Sequence, residues 1–456
     1  MNDSQPKKQR VHLKTLIPGP KSRELRSREE VHIAPGVQGY AVTSGIVVDR
    51  AQGSAVTDVD GNVLLDFIGG IGVNAFGHSH PAIVRAIQQQ VERASVGSFT
   101  SEARVELVER LAAHAPSPGV HRLQLYSSGS EAVESALRLA KSYTGKWEFV
   151  SFWGGFHGKT LGSLSLMGST FKEKLGPFAP GSHVVPYADC YRCPLGLSYP
   201  SCGIGCAEVA RQQIKQSSAG AVAAVIVEPM QGTAGNVIPP DEFLGAVRSI
   251  ADELGALLIA DEMITGFGRT GRYWGVEHAR LRPDIVTLGK AFGGGFPLSG
   301  VLTTDEISRA VPWSIPSGSS SSYGGNALGA AAGAAALRTL DDERLVENSR
   351  VVGEQMLAEL APFEGDYPFV GQVRGRGLFL AIELVSDKRT KEPLSSKITR
   401  RIYDACVQRG LLSMVYAPRV RLQPALTIDL ETARNGIAIL REVFDLAKNE
   451  RWCDVS

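Results

Sequence analysis

Short apolar runs that alternate with amphipathic segments occupy the middle of the chain. Two of these runs, 257–260 and Ile285–Leu288, are followed closely by a charged residue, Asp261 after the first and Lys290 after the second. Runs of this length without polar interruption are typical of strands buried on both faces. Because amphipathic segments separate the runs between about residues 80 and 300, the pattern predicts an α/β fold with a mainly parallel, doubly wound sheet.

Apolar spacing also predicts individual helices and strands. Helices are predicted over 131–143, 240–254 and 327–340, and the first has its apolar positions at Ala132, Val133, Ala136, Leu137 and Ala140. Strands are predicted at 45–48 and 63–67, around a turn at 60–62, and again at 373–383 and 419–424. Period-2 spacing places Arg419 and Arg421 on one face, which can bind a carboxylate or form a solvated edge.

Composition narrows the classes of function. Lys and Arg number 48 against 47 Asp and Glu, so no basic surplus favours a nucleic acid or an anionic membrane as partner. The apolar runs are too short for a membrane span, and residues 1–16 lack the apolar core of a secretory signal. Six cysteines in 456 residues do not indicate an oxidised framework, so we expect a cytoplasmic protein.

Polar residues at the predicted strand ends suggest chemistry. Lysine can form a Schiff base with an aldehyde cofactor and aspartate can pair with a pyridinium nitrogen, so Lys290 and Asp261 can hold two ends of one cofactor. The turn at 127–130 precedes a helix and suits a phosphate, although an ordinary helix cap has the same pattern. Phe156 and His157, between glycines, can stack on a flat ring, although Phe156 alone is also typical of a core residue.

Three other features each allow two interpretations. Cys190, Cys193, Cys202 and Cys206 have a spacing that resembles a small zinc site, and the alternative is a loop of reduced thiols. We interpret His78 and His80 as structural loop groups, because no matching carboxylate or cysteine stands nearby in the sequence. The polar arm at 1–35 is either a loose terminus or a segment laid across a partner subunit.

The motifs, taken in order, resemble those of the class III aminotransferases. They are SSGSEAVESALRLAK, FHGKTLGSLS, VEPMQGTAG, LLIADEMITGFGRTG, LGKAFGGGFPLSG and SYGGN, and the resemblance covers about residues 30–445. It implies the type I fold of pyridoxal phosphate enzymes. That fold has a mainly parallel, seven-stranded-type sheet in a large domain (76–335). A smaller α+β domain is built from both termini (36–75 and 336–456), after the arm at 1–35.

The resemblance also implies residue roles. Lys290 carries the Schiff base and moves the proton, and Asp261 binds the pyridinium N–H. Gly129 and Ser130 hold the phosphate. The other cofactor contacts that it implies are Phe156, His157, Glu228, Ile264 and Ser322. Because Ser322 matches a residue that reaches the neighbouring subunit, a homodimer is expected, with a tetramer as the alternative. The substrate-binding residues that it implies are Ile71, Lys159, Thr233 and Arg421, the last for an α-carboxylate.

Departures from the family pattern bear on the substrate. Thr233 replaces a gate glutamate, and Lys159 replaces an arginine that holds a distal carboxylate in 4-aminobutyrate enzymes. Isoleucine at position 264 resembles the residue at this position in the ω-amine:pyruvate members. We therefore predict an amine or ω-amino donor and pyruvate or 2-oxoglutarate as acceptor, both small molecules. The alternatives are 4-aminobutyrate:2-oxoglutarate transamination, an amino-acid racemase, a dialkylglycine decarboxylase, and a non-catalytic protein that kept the fold.

Overall fold

The computed structural model describes residues 9–416 and 418–454, and the chain divides into two compact units. Unit 1 comprises Met1–His80 with Asn348–Ser456, and unit 2 comprises Pro81–Glu347. The predicted domain boundaries stay a prediction. None of the described helices is long and apolar enough to cross a membrane.

Sixteen strands lie within the described residues. In chain order they are β1 Val48–Gln52, β2 Ala55–Asp58, β3 Val63–Asp66, β4 Val120–Tyr126, β5 Glu148–Phe152, β6 Ser182–Val185, β7 Val222–Val227, β8 Leu257–Asp261, β9 Ile285–Leu288, β10 Ser299–Thr304, β11 Val370–Arg376, β12 Phe379–Asp387, β13 Glu392–Pro393, β14 Leu411–Leu412, β15 Met414–Tyr416 and β16 Arg419–Leu422.

Fifteen α-helices lie in the same described ranges. They are α1 Pro20–Glu30, α2 Gly39–Ser44, α3 Gly69–Gly72, α4 Pro81–Val91, α5 Glu102–Ala113, α6 Gly129–Thr144, α7 Leu161–Ser165, α8 Gly205–Ser217, α9 Asp241–Glu253, α10 Asp305–Ser308, α11 Ala327–Asp342, α12 Leu345–Leu360, α13 Phe363–Asp366, α14 Ser396–Val407 and α15 Leu430–Asn449. Short 3₁₀ turns occupy Thr170–Lys172, Gly275–Ala279, Lys290–Gly293 and Trp452–Asp454.

Unit 2 is built on a seven-stranded sheet of order β4-β10-β9-β8-β7-β5-β6. Only β10 runs against its two neighbours, β4 and β9, and the other pairs are parallel. The predicted mainly parallel sheet is therefore confirmed. Because β10 is antiparallel to both β4 and β9, these two strands run in the same direction. The carboxyl ends of β4, β5, β7, β8 and β9 thus meet at one edge, where ligands of such sheets bind.

Helix α6 shows how the sequence pattern produces the core of unit 2. Its five predicted apolar positions are all buried and pack with Tyr126, Ile259 and Val301 of the sheet. Ser128 caps the helix by accepting from Glu131 N, and Gly145 ends it with φ 67°, a left-handed conformation that favours glycine. The cap and the apolar face together fix where the helix begins relative to β4.

Unit 1 contains a four-stranded sheet, β1-β2-β3-β14, and a five-stranded sheet. The second has the order β11-β12-β16-β15, with β13 on β12. β16 therefore lies between two strands, and the interpretation of Arg419 and Arg421 as a solvated edge is wrong. The predicted strand at 45–48 is also wrong, because Gly45 at φ 66° ends helix α2 and β1 begins only at Val48.

The N-terminal arm packs on its own unit over the residues that the structure describes, 9–35. His12 pairs with Val63, and the Asn62 side chain accepts from the backbone of Lys14 and Thr15. This segment is therefore not a loose terminus, while residues 1–8 lie outside the described residues. In the same unit, Asp66 Oδ2 lies 2.7 Å from His78 Nε2, so His78 pairs with a carboxylate that precedes it by 12 residues in the chain.

Candidate active site

A buried acid–base pair lies at the carboxyl end of β8. Asp261 Oδ2 is 2.7 Å from His157 Nδ1, and both side chains are 1% exposed. Asp261 Oδ1 also accepts from Met263 N at 3.1 Å. Burial opposes the charged form of His157, but the hydrogen bond and charge of Asp261, with the charge of Glu228, raise the pKa of His157 above its ordinary value. The pair therefore favours an imidazolium that holds Asp261 in one orientation.

Glu228, directly after β7, fixes the backbone of two neighbouring loops. Its carboxylate accepts from Phe156 N at 2.9 Å and from Gly232 N at 3.0 Å. Burial raises the pKa of Glu228; His157 and the two N–H groups oppose this rise, and Asp261 adds to it. One acid thus holds both the aromatic residue after β5 and the turn that carries Thr233.

Lys290 follows β9, the strand next to β8. Asp261 is the register partner of Thr287, three residues before the lysine, and Glu262 N donates to Thr287 O. Lys290 has φ 46°, in the left-handed region that few non-glycine residues adopt. The lysine therefore lies at the same sheet edge as the Asp261–His157 pair, in a backbone conformation maintained by the surrounding turn.

The turn between β4 and α6 presents the start of a helix. Gly129 and Ser130 are its first residues, and the first N–H groups of a helix have no acceptor within it. Ser130 Oγ accepts from Lys159 N at 3.2 Å. A Cβ on Gly158, at φ 132°, would stand 2.4 Å from Ser130 Oγ, so only glycine fits there. Glycine and serine thus leave space and donors for an anion at this end of the helix.

The other predicted cofactor and substrate residues of unit 2 surround these groups. Phe156 is partly buried and Ile264 is 6% exposed, whereas Lys159 and Thr233 are exposed. A Cβ on Gly232 would meet Ile264 at 3.1 Å, so Ile264 packs beneath the turn of Thr233. Ser322 is exposed in the loop before α11.

Two predicted substrate residues belong to unit 1. Ile71 has φ 62° and packs partly buried against the core of that unit. Arg421 is 2% exposed on β16. Its neighbour Arg419 donates to buried Glu383 at 2.9 Å, and Arg374 donates to the same oxygen at 2.7 Å. Carboxylate binding therefore stays a prediction for Arg421 alone.

The four-cysteine loop lines a small cavity between β6 and α8. Cys190, Cys193, Cys202 and Cys206 are free thiols around it. Burial, with the neighbouring thiols, raises the pKa of Cys190 to about 11, and burial also raises that of Cys206. Within the ranges 9–416 and 418–454 no group of three or more His, Cys, Asp or Glu side chains is placed to hold a metal. The zinc prediction is therefore not supported.

Two residues at this edge of the sheet were not predicted from the sequence. Met263 lies between the helix turn and the lysine turn, because a Cβ on Gly129 or Gly289 would stand 3.1 or 2.6 Å from its sulfur. Phe171 lies edge-on to Phe156 at 5.7 Å and carries the Lys159 ammonium at 5.1 Å from its ring centre. Met263 stands two residues after Asp261, which was a usable signal, whereas nothing in the sequence marks Phe171.

These elements define an α/β enzyme fold with its polar residues at the carboxyl edge of a mainly parallel sheet. Comparison with known sequences gives the family. The family described as aminotransferase class-III matches residues 38–444. The chain therefore belongs to the class III aminotransferases, which use pyridoxal phosphate on the type I fold.

Individual relatives differ in what they are named for. The chain is 35% identical to the 5-aminovalerate aminotransferase DavT of Pseudomonas aeruginosa, over 90% of this chain and 95% of that protein. It is 32% identical to a leucine/methionine racemase of Thermococcus litoralis, over 86% and 89%. An amine transaminase from an uncultivated Pseudomonas species superposes with a TM-score of 0.85 at 31% identity, over 91% and 98%. The type of reaction is thus transamination for most of these relatives, and the substrate varies.

Proposed function

We propose that this aminotransferase moves an amino group from an amine or ω-amino compound to pyruvate or 2-oxoglutarate, with covalent attachment of the cofactor at Lys290. The observation that carries the proposal is the buried Asp261–His157 pair, on the strand next to β9, which ends two residues before this lysine. A carboxylate buried at 1% exposure and backed by an imidazolium suits a fixed positive partner such as a protonated ring nitrogen.

The residues present fit pyridoxal phosphate. When bound, it supplies an aldehyde for amines and a ring that accepts electrons. Asp261 holds a proton on the ring nitrogen, and His157 keeps Asp261 in place. Gly129 and Ser130 donate to the phosphate from the start of α6. Phe156, whose backbone N–H is held by Glu228, would stack on the ring.

Lys290 Nζ has two tasks in this proposal. It would bind the cofactor's aldehyde before a donor amine replaces it, and the freed Nζ would then act as the base that takes the proton from the donor carbon next to the transferred nitrogen. The same amine would afterwards return that proton as an acid. Lys290 opens the short 3₁₀ turn Lys290–Gly293 just after β9, so its side chain starts at the sheet edge that also carries Asp261.

The proposed donor class rests on two exposed residues. Lys159 carries its ammonium over Phe171 instead of presenting a planar guanidinium fork, and Thr233 is uncharged. Thr233 cannot form an ion pair with an arginine, so any switch between a donor without a carboxylate and a keto acid uses other groups. DavT is named for an ω-amino acid, 5-aminovalerate. We assign the α-carboxylate of the keto acid to Arg421 and include Ile71 among the substrate residues.

A homodimer is part of the proposal. Phe99 is 83% exposed and Tyr323, next to Ser322, is 74% exposed. The two segments are neighbours, because a Cβ on Gly97 would stand 2.9 Å from Asn326 Cα. An exposed aromatic patch of this kind is typical of a protein interface. In the dimer Ser322 would reach the phosphate in the partner subunit. A reducing compartment such as the cytoplasm agrees with the six free cysteines.

A donor panel tests the substrate class. Diamines, ω-amino acids including 5-aminovalerate and 4-aminobutyrate, and α-amino acids are each incubated with pyruvate and with 2-oxoglutarate, and keto-acid consumption is followed. We expect amines and ω-amino compounds to exceed α-amino acids in kcat/KM. A clear preference for 4-aminobutyrate with 2-oxoglutarate would contradict our interpretation of Lys159 and Thr233.

Racemisation is the second candidate function, because one relative at 32% identity is named a leucine/methionine racemase. The same Lys290 can move a proton on and off one carbon without transferring nitrogen. L-Leucine and L-methionine are incubated without any keto acid, and their D-forms are measured by chiral chromatography. Conversion to the D-forms under these conditions, together with no keto-acid consumption across the panel, would identify racemisation and not transamination as the main reaction.

A further inference from the structure

A buried network of three hydroxyl groups and one indole N–H connects the end of β4 and helix α6 to the serine-rich loop before α11. Its members are Tyr126 at the end of β4, Ser135 on α6, and Trp313 and Ser319 in the loop before α11. They are 2%, 1%, 8% and 6% exposed. We propose that Tyr126 is a positioning residue that holds this loop so that Ser322 can reach the phosphate in the partner subunit. Because Ser322 is a proposed phosphate ligand, this inference rests on the proposed function.

The hydrogen bonds of the network run in one direction. Trp313 Nε1, which can only donate, lies 3.0 Å from Ser135 Oγ. Ser135 Oγ in turn contacts the Tyr126 hydroxyl. The Tyr126 hydroxyl donates to Ser319 O at 2.8 Å. Burial raises the pKa of Tyr126, so the hydroxyl keeps the proton that this chain of donors requires.

Charged and amide groups strengthen the hold on the same loop residue. Arg138, on α6, donates to Gly318 O at 3.1 Å and to Ser319 Oγ at 3.2 Å. Gln124, on β4, donates to Ser319 O at 3.3 Å. Ser319 is thus bound by side chains from both β4 and α6. These two elements flank the turn at 127–130, which we call the phosphate turn.

The loop is held a second time, on the other side of Ser322. A Cβ on Gly324 would stand 2.3 Å from Leu125 O, and one on Gly325 would stand 3.0 Å from the Leu125 side chain. The loop therefore lies directly on the end of β4 at this point. Ser322 and its neighbour Tyr323 are exposed between the two contacts. Loss of the Tyr126 hydroxyl would weaken one of the two attachments of this exposed span, because only the contacts of Ser135, Arg138 and Gln124 would remain there.

The first measurement does not depend on any cofactor. Hydrogen–deuterium exchange of full-length Tyr126→Phe is compared with wild type and with Tyr143→Phe. Tyr143 is a matched control, because it lies on α6, the helix that carries Ser135, and its hydroxyl bonds to Glu306 outside the network. We expect faster exchange in 314–326 only for Tyr126→Phe. Unchanged exchange there would overturn the attachment. If Tyr126→Phe does not fold, Ser319→Ala takes its place, because it removes the Ser319 hydroxyl that lies 2.6 Å from the Tyr126 hydroxyl.

The second measurement asks whether the attachment serves the phosphate. The Kd of pyridoxal phosphate and that of pyridoxal, which lacks the phosphate, are measured by titration. We expect Tyr126→Phe to raise the first by about tenfold, the usual size of one lost hydrogen bond, and to leave the second unchanged. In a Ser322→Ala background the effect of Tyr126→Phe should vanish, because the two residues act on one contact.

The outcomes separate this inference from the proposed function. Additive effects of Tyr126→Phe and Ser322→Ala, equal weakening of pyridoxal and pyridoxal phosphate, or a lower melting temperature with unchanged affinities would each overturn the positioning role. In all three cases the wild type still binds the cofactor, and the proposed function stands. A wild type that binds no pyridoxal phosphate would instead contradict the proposed function, and with it the phosphate role of the loop.

Discussion

At the scale of single residues, Lys290 is the side chain on which the proposed chemistry depends most. We expect Lys290→Ala to lose covalent attachment of the cofactor and to reduce activity at least about 100-fold, the lower end of what a positioned proton-transfer group contributes. Mass spectrometry after borohydride reduction measures the attachment. Lys141→Ala, on the exposed side of α6, is the control and should keep the added mass. Cofactor mass retained on Lys290→Ala would place the attachment on another residue.

Glu262, directly after Asp261, predicts a dependence of stability on pH. It accepts from Thr265 Oγ1, Gly275 N and Val276 N, and burial raises its pKa from 4.5 to about 7. A carboxyl with a higher pKa in the folded state binds its proton more tightly there. Its contribution is therefore complete below about pH 4.5, and stability falls by about 3 kcal/mol as the pH rises to about 7.

Denaturation with urea between pH 5 and 7.5 measures this dependence. We expect Glu262→Gln, which carries no charge at any pH, to have a smaller decrease in the free energy of unfolding than wild type over this range. Glu173→Gln, at an exposed position, should follow the wild-type slope. Equal slopes for wild type and Glu262→Gln would contradict the raised pKa.

At the scale of elements, the phosphate turn depends on the backbone of Gly158. A methyl group there would meet Ser130 Oγ and Ser163 Oγ, and φ 132° is strained for any residue with a side chain. We expect Gly158→Ala to destabilise the fold by about 1–3 kcal/mol and to weaken pyridoxal phosphate binding. Calorimetry and cofactor titration measure the two effects.

Gly145→Ala is the matched control for Gly158→Ala. Gly145 ends helix α6 in a left-handed conformation, but a methyl group there would meet nothing within 4 Å. It should destabilise the fold by about 1 kcal/mol and leave cofactor affinity unchanged. Equal losses of affinity for both variants would mean that strain in general, and not the displacement of Ser130, weakens binding.

Helices and strands could be predicted from the sequence where one effect, the burial of apolar side chains, determines them. The apolar stripe of α6 and the short runs of β8 and β9 predicted buried elements correctly, because burial alone determines them. The strand predicted at 45–48 failed, because the left-handed cap at Gly45 outweighed β-branched residues. Phe171 and the Tyr126 network could not be predicted, since their contacts join residues far apart in the chain through side-chain packing.

At the scale of the whole molecule, the aromatic patch beside Ser322 predicts assembly. We expect Phe99→Glu to shift the protein from a dimer toward a species of the 48.7 kDa chain mass, because a charge would be buried without a partner. Light scattering after size-exclusion chromatography measures the mass. Leu175→Glu, at another exposed apolar position of unit 2, should leave the mass unchanged. A dimer or tetramer that persists in Phe99→Glu would place the interface elsewhere.

The reversed strand β10 has a consequence for biosynthesis. Among the described residues β4 pairs in this sheet with β10 alone, and the hydrogen bond of Tyr126 requires Ser319, which follows 193 residues later in the chain. At about 5–20 residues per second, a ribosome needs roughly 10 to 40 seconds to make that length. The nascent phosphate turn therefore stays incomplete until most of unit 2 has been translated, so cofactor capture belongs to the late stage of synthesis.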